Sequence, residues 1–91
     1  MKYEIEYTTK FKRSFKKCLK RGLNPAVLEK AMQVLSDSGT LPAEYRPHKL
    51  SGQYEGYWEC HLQSDWLLVW LQDDGRLVLT LIDTGTHADL F

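Results

Sequence analysis

The chain is poor in the features that mark several large protein classes. It has two cysteines in 91 residues, Cys18 and Cys60, far apart and in unrelated contexts. With no C-x-x-C motif and no secretory signal, a disulfide framework is not expected. Both thiols should be reduced, with Cys60 a small core residue. No apolar run approaches the length needed to cross a bilayer, so neither a transmembrane helix nor a membrane partner is expected. The opening Met1-Lys2-Tyr3-Glu4 lacks the apolar centre of a signal peptide, and the expected location is cytoplasmic. Walker loops, G-x-G-x-x-G and G-x-S-x-G are all missing, so glycine-rich phosphate cradles and serine-hydrolase elbows find no support and no cofactor is expected. Internal repeats and low-complexity segments are missing too. Net charge is also lacking, because 12 basic residues balance 12 acidic ones.

What is present suits one compact domain over residues 1–91, with a hydrophobic fraction of 43% that is too high for a disordered chain. A domain of this length buries a modest share of its surface, so low net stability is expected. The charges that cancel in total are separated along the sequence. Lys10, Lys12, Arg13, Lys16, Lys17, Lys20 and Arg21 hold 7 of the 12 basic residues. From Tyr45 onward, Arg46, Lys49 and Arg76 face seven acids. Such a segment makes a local positive field, whether as a nucleic-acid contact or as a solvated helix face.

Tyr3, Ile5 and Tyr7 alternate with Lys2, Glu4 and Glu6, the pattern of a half-buried strand. Thr8-Thr9 then offers a helix cap, Phe11, Phe15, Cys18 and Leu19 recur at helical spacing, and Gly22 is a stop. Asn24-Pro25 starts a second helix with an apolar stripe of Val27, Leu28, Ala31, Met32, Val34 and Leu35, ending at Ser38-Gly39. Leu41 to Gly56 is mostly loop, with a short extended piece at His48 to Leu50. Three strands follow over Tyr57 to Leu62, Trp66 to Gln72 and Arg76 to Asp83, turning at Gln63-Ser64 and at Asp73-Asp74-Gly75. The expected fold class is α+β, a helical hairpin packed on an antiparallel sheet in the order β-α-α-β-β-β. Trp66-Leu67-Leu68-Val69-Trp70-Leu71 is apolar on both faces and must be central. Its second face needs the C-terminus, a loop or a partner as cover.

The candidate chemistry lies in three histidines, His48, His61 and His87, the side chains that titrate near neutral pH unaided. Strand alternation puts Glu59 and His61 on one face and Cys60 on the other, which disfavours a cysteine–histidine nucleophile pair. A Gln63-Ser64 turn sets His61 opposite Trp66 and brings Asp65 close enough to orient it, although Asp65 also suits plain turn chemistry. Gly85 permits a reversal that folds His87 back across the sheet. The spacing His61-x-x-x-Asp65 matches no ligand motif, so no metal site is expected.

The spaced motifs H-x-L-x-G at His48, E-C-H-x-x-x-D from Glu59 to Asp65 and G-T-H-x-x-L-F from Gly85 to Phe91 resemble those of YafQ-type toxins of the RelE/ParE superfamily. The resemblance covers essentially the whole chain. It implies a messenger-RNA endonuclease, acting freely or on the ribosome, silenced by a cognate antitoxin. It also implies attack of a ribose 2′-hydroxyl on the adjacent phosphate, with His87 as general acid and His48 or His61 as general base. Glu59 and Asp65 would tune the histidines, and Phe91 would stack on a base. One departure stands out: relatives often carry arginine where this chain has Asp83. Arg46, Lys49 and Arg76 are then the candidate RNA-binding cations. Two rival classes share the sequence features, a toxin of this fold that poisons a protein such as DNA gyrase and a noncatalytic RNA-binding domain. Three histidines favour catalysis, since binding alone does not require them.

Overall fold

The computed structural model describes residues 2–91. Its elements are β1 (Glu4–Tyr7), α1 (Thr9–Lys20), α2 (Pro25–Ser38), β2 (His48–Lys49), β3 (Trp58–Gln63), β4 (Trp66–Asp73), β5 (Val78–Gly85) and α3 (His87–Leu90), with short 3₁₀ turns at Ala43–Tyr45 and Gly52–Tyr54. Both long helices begin as the sequence signals. The Thr8 hydroxyl accepts from the Phe11 N–H, and the Asn24 side chain accepts from the Ala26 N–H with Pro25 in the first turn. Gly39 closes α2 in the left-handed conformation, at φ 74°. A Cβ there would sit 2.7 Å from the Tyr3 hydroxyl, so the position needs glycine for space as well as for backbone angle.

The five strands form one sheet in the order β1-β5-β4-β3-β2. It is antiparallel except at one edge, where β1 lies parallel to β5 with Ile5 opposite Leu79. The strand that opens the described chain thus joins the strand that nearly ends it, and both long helices lie between them in sequence. One sheet face packs on the helices through Cys60, Leu62, Trp66, Leu68, Trp70, Leu79 and Leu81, which meet Phe11, Cys18, Leu28, Ala31 and Leu35. Cys18 and Cys60 are both buried and free. Burial pushes the Cys60 thiol up to about 12, an inert packing residue.

Both hairpins differ in detail from the sequence expectation. The β3–β4 turn is Ser64-Asp65, one residue later than Gln63-Ser64, because a register shift between His61 and Gln63 sets Gln63 opposite Trp66. His61 therefore pairs with Leu67. The β4–β5 connection occupies residues 74–77, and its left-handed residue is Leu77 (φ 54°) rather than Gly75. The side chain of Asp73 accepts from the Arg76 N–H and holds that turn. β5 starts and ends two residues later than Arg76 to Asp83, which carries Thr84 and Gly85 into the sheet. The second face of β4 is not left bare. Leu67 and Val69 are buried, and Val69 lies under Tyr54, Tyr57, Leu90 and Phe91, so a loop and the C-terminus supply the cover. Among the described residues no helix is long and apolar enough to cross a membrane.

Candidate active site

Cross-strand partners present their side chains on the same face. Cys60 and Leu62 point into the helix-side core, so Glu59 and His61 point the other way. Two rungs result on that second face. One runs His48, Glu59, Val69, Asp83 across β2 to β5, and the other runs His61, Leu67, Gly85 across β3 to β5. The site is laid out on these rungs at the sheet end where β5 terminates.

His87 arrives from the tail. Gly85 ends β5 at φ 155°, and a Cβ there would lie 2.7 Å from the Asp89 carboxylate, so the reversal requires glycine. Thr86 then caps α3. Its hydroxyl accepts from the Asp89 N–H while Asp89 accepts from the Thr86 N–H, a reciprocal capping box. A bidentate pair from Arg21 at the end of α1, 2.6 and 3.2 Å from the two Asp89 oxygens, fastens α3 to the first helix. These bonds hold the Asp89 carboxyl far below the usual range.

So placed, His87 meets Asp65. One carboxylate oxygen accepts from the His87 backbone N–H at 3.1 Å and from Nδ1 at 2.9 Å. These hydrogen bonds lower the Asp65 pKa, so the group is an ionised acceptor and Nδ1 carries the proton. The sequence expectation that Asp65 orients His61 is corrected. Moving the turn by one residue turns Asp65 toward His87, and the His61 and His87 rings stand 5.8 Å apart between centroids.

His61 is the more enclosed ring. Burial lowers its pKa, and the charges of Arg46, His87 and His48 add to that effect against the opposing pull of Glu59. The imidazole is therefore neutral at physiological pH, and among the described residues nothing hydrogen-bonds its buried Nδ1. His48 donates through Nδ1 to the Arg46 carbonyl at 2.9 Å, an approach made possible by the left-handed turn at Arg46 (φ 48°). Its Nε2 then lies 3.4 Å from Oε1 of the buried Glu59, whose Oε2 has no hydrogen-bond partner among the described residues.

The three expected cations part company. Arg46 stays beside the histidines. Lys49 sits over the Trp58 ring at 5.7 Å, on the other face of the sheet from His48. Arg76 lies in the β4–β5 turn at the opposite sheet end. In their place α1 contributes Lys10, Arg13 and Lys17, which line a hollow of about 320 Å³ with Ser14, Asp83, Thr84 and Asp89. Their i, i+3, i+7 spacing could have shown in the sequence that one stripe of the basic helix faces a single groove. Phe91 is 56% exposed and packs edge-on against Tyr54 at 5.3 Å. Tyr54, Tyr57 and the Arg21–Asp89 pair carried no sequence signal, because their partners lie far along the chain.

Among the described residues no three His, Cys, Asp or Glu side chains are grouped as a metal ion would need. The profile of the family described as the bacterial toxin of type II toxin-antitoxin systems, YafQ, matches residues 3–91. The mRNA interferase toxin YafQ of Escherichia coli strain K12 is 35% identical over 89 residues, covering 97% of this chain and 95% of that protein. The E. coli DinJ–YafQ toxin–antitoxin complex contains a chain that is 34% identical with a TM-score of 0.88, over 100% of this chain and 99% of that one. A metal-bound toxin from Helicobacter pylori matches with a TM-score of 0.88 at 32% identity, over 98% and 99% of the two chains. With the fold, the motifs and these matches in agreement, the chain belongs to the YafQ family of type II toxin–antitoxin toxins.

Proposed function

We propose that this toxin is a metal-independent endoribonuclease that cuts messenger RNA by histidine acid–base catalysis, on the ribosome, and is restrained by a cognate antitoxin. The observation that carries the reading is the pair of imidazoles set against one another. His61 is kept neutral, and His87 is fixed by an ionised carboxylate placed to compensate a positive ring. His61 accepts the proton of a ribose 2′-hydroxyl, and the 2′-oxygen attacks the adjacent phosphorus. The bond from phosphorus to the 5′-oxygen breaks, and His87 gives that oxygen its proton. The products are a 2′,3′-cyclic phosphate and a 5′-hydroxyl end. Arg46 and the α1 cations stabilise charge on the phosphoryl oxygens. His48 and Glu59 stand against one another on the neighbouring rung and position the site.

The E. coli relatives named mRNA interferase and DinJ–YafQ complex support RNA as substrate and a protein antitoxin as partner. An RNA substrate and an antitoxin both suit a protein at work in the cytoplasm. The test is incubation of purified protein with translating ribosomes and a defined message in chelator, with the new ends mapped. Discrete cyclic-phosphate ends are expected, lost when the nucleotide at the cut carries 2′-deoxyribose and lost in folded His87→Ala. Cleavage of the 2′-deoxy message, or full activity of His87→Ala, would overturn the mechanism. Dependence on added metal would overturn metal independence.

A further inference from the structure

Asp83 is the one carboxylate on the rung beside the histidines that neither pairs with a histidine nor caps a turn or helix. It is 7% exposed. Its Oδ1 accepts from the Thr84 N–H at 2.9 Å, and its Oδ2 lies 3.4 Å from the Lys10 ammonium. Among the described residues no other donor reaches it. Each carboxylate oxygen accepts two hydrogen bonds, so both retain an unused lone pair. A largely buried carboxylate with spare acceptor capacity is costly unless something completes it.

A hollow of about 270 Å³ opens over this group, lined by Lys10, Tyr54, Tyr57, Val69, Leu90 and Phe91, with Ile82 and Asp83 on its β5 side. That volume sits just under the usual range for small-molecule sites, the scale of a single planar ring system. The walls are aromatic. The Tyr54 ring lies 5.3 Å from Phe91 at 89° and 6.4 Å from Tyr57 at 50°. Leu90 and Phe91 follow His87 within four residues, so the hollow adjoins the scissile position. Aromatic walls stack on unpaired bases in single-stranded RNA, and hydrogen bonds along the base edge then select among them.

We propose that this hollow binds a guanine next to the cleaved linkage and that Asp83 with Lys10 reads its edge. Guanine presents an acceptor, O6, followed by two donors, N1–H and the 2-amino group. The pair offers the complement: the Lys10 ammonium for O6 and the two Asp83 oxygens for the donors. Uracil brings Asp83 one donor. Adenine and cytosine each bring one amine and no ring N–H. The inference rests on the ribonuclease reading and names a base preference for it.

The test uses the full chain and two readouts. In the first, ribosome-bound messages differing at single nucleotides around the cut are cleaved. In the second, short RNAs with 2′-deoxyribose at the cut are titrated, and binding is followed by anisotropy and by the aromatic resonances of Tyr54, Tyr57 and Phe91. Guanine is expected to exceed inosine, which lacks the 2-amino group, by about 10–100-fold, the worth of one hydrogen bond to a charged acceptor. Asp83→Asn is expected to shrink that ratio to within about threefold, since the amide replaces one acceptor by a donor. Lys10→Met, altered at a largely exposed side chain, covers the case in which Asp83→Asn does not fold. It should weaken guanine binding while keeping guanine ahead of inosine. Equal treatment of guanine and inosine by the wild type, or an unchanged ratio in folded Asp83→Asn, would overturn the proposal and leave the ribonuclease reading standing. Asp83-dependent selection of guanine in binding, without cleavage of any message, would uphold the subsite and overturn the ribonuclease reading.

Discussion

Replacing Asp65 with asparagine tests the acid half of the proposed mechanism with a change of one atom. A single Asp65 oxygen accepts from both the His87 N–H and Nδ1. Asparagine keeps a carbonyl oxygen that can serve the backbone N–H. That same oxygen can go on accepting from Nδ1, but the substitution removes the negative charge that compensates a protonated ring. General acid catalysis contributes about 10²–10⁴-fold, so His87→Ala sets the maximal loss. A ring that stays in place but loses its counter-charge should cost less, on the order of 10-fold, the equivalent of about one pKa unit. The double variant separates action through His87 from any other role. If Asp65 acts through His87, Asp65→Asn costs nothing further once His87 is alanine. Thermal melts should barely move, since both side chains are more than half exposed. Rates would come from single-turnover cleavage of a message with a mapped cut. Wild-type rates for Asp65→Asn, or full losses that multiply in the double variant, would refute the argument.

Three other outcomes follow from named contacts. Arg46→Ala removes a charge that helps depress the His61 pKa. The acid limb of kcat/KM, expected below the ordinary histidine value of 6.5, should then move up toward it, and a fixed limb would exclude His61 as the base. The same depression makes the unfolded chain the better proton binder, so the stability tied to His61 is fully present above 6.5 and is lost as pH falls through that value toward the folded pKa. Thr84→Val strands the Trp66 indole N–H and the Leu67 carbonyl, which the hydroxyl joins at 2.9 and 2.7 Å in the buried interior. Urea melts should show a loss of about 2–4 kcal/mol, with Thr84→Ser much less affected. Gly85→Ala drives a Cβ against Asp89, so cleavage should fall on the order of 10²-fold while Tm falls less than in Thr84→Val.

The helices and the central strand are legible in the sequence because local chemistry decides them. Thr8, Asn24-Pro25 and Gly39 act on their own neighbours, and alternation alone parts Cys60 from His61. The register errors have one physical source. Residue types point to where a tight turn can form, whereas the register shift beside His61 and the left-handed Leu77 set the actual connections. The parallel pairing of β1 with β5 left no trace either, since an alternating strand does not specify the direction of its neighbour. At the site, the motif resemblance picked out the three histidines. The carboxylate assigned to His61 serves His87 instead, 22 residues away, a relation set by tertiary geometry alone. Lys49 stands apart from the histidines for a simpler reason. It neighbours His48 in sequence, and adjacent strand residues point to opposite faces.

The first helix ties the two ends of the site together, and this yields a contrast between two of its cations. At its start, the Thr8 hydroxyl donates to the Leu81 and Ile82 carbonyls where the β4–β5 register shifts, and Lys10 reaches Asp83. At its end, Arg21 grips Asp89 and through it the segment that bears His87. Twelve helical residues span about 18 Å, so α1 acts as a strut between the proposed base subsite and the acid. Lys17 lines the groove between them and forms no ion pair with Asp89. Arg21→Gln should therefore lower kcat, by up to about 10²-fold, because it loosens the placement of His87 after RNA has bound. Lys17→Gln should instead raise KM and flatten its salt dependence, because it removes only a contact with the phosphate backbone. The comparison needs saturating RNA and at least two salt concentrations. If Arg21→Gln altered KM alone, α3 would hold its position without the helix, and the strut would have no part in catalysis.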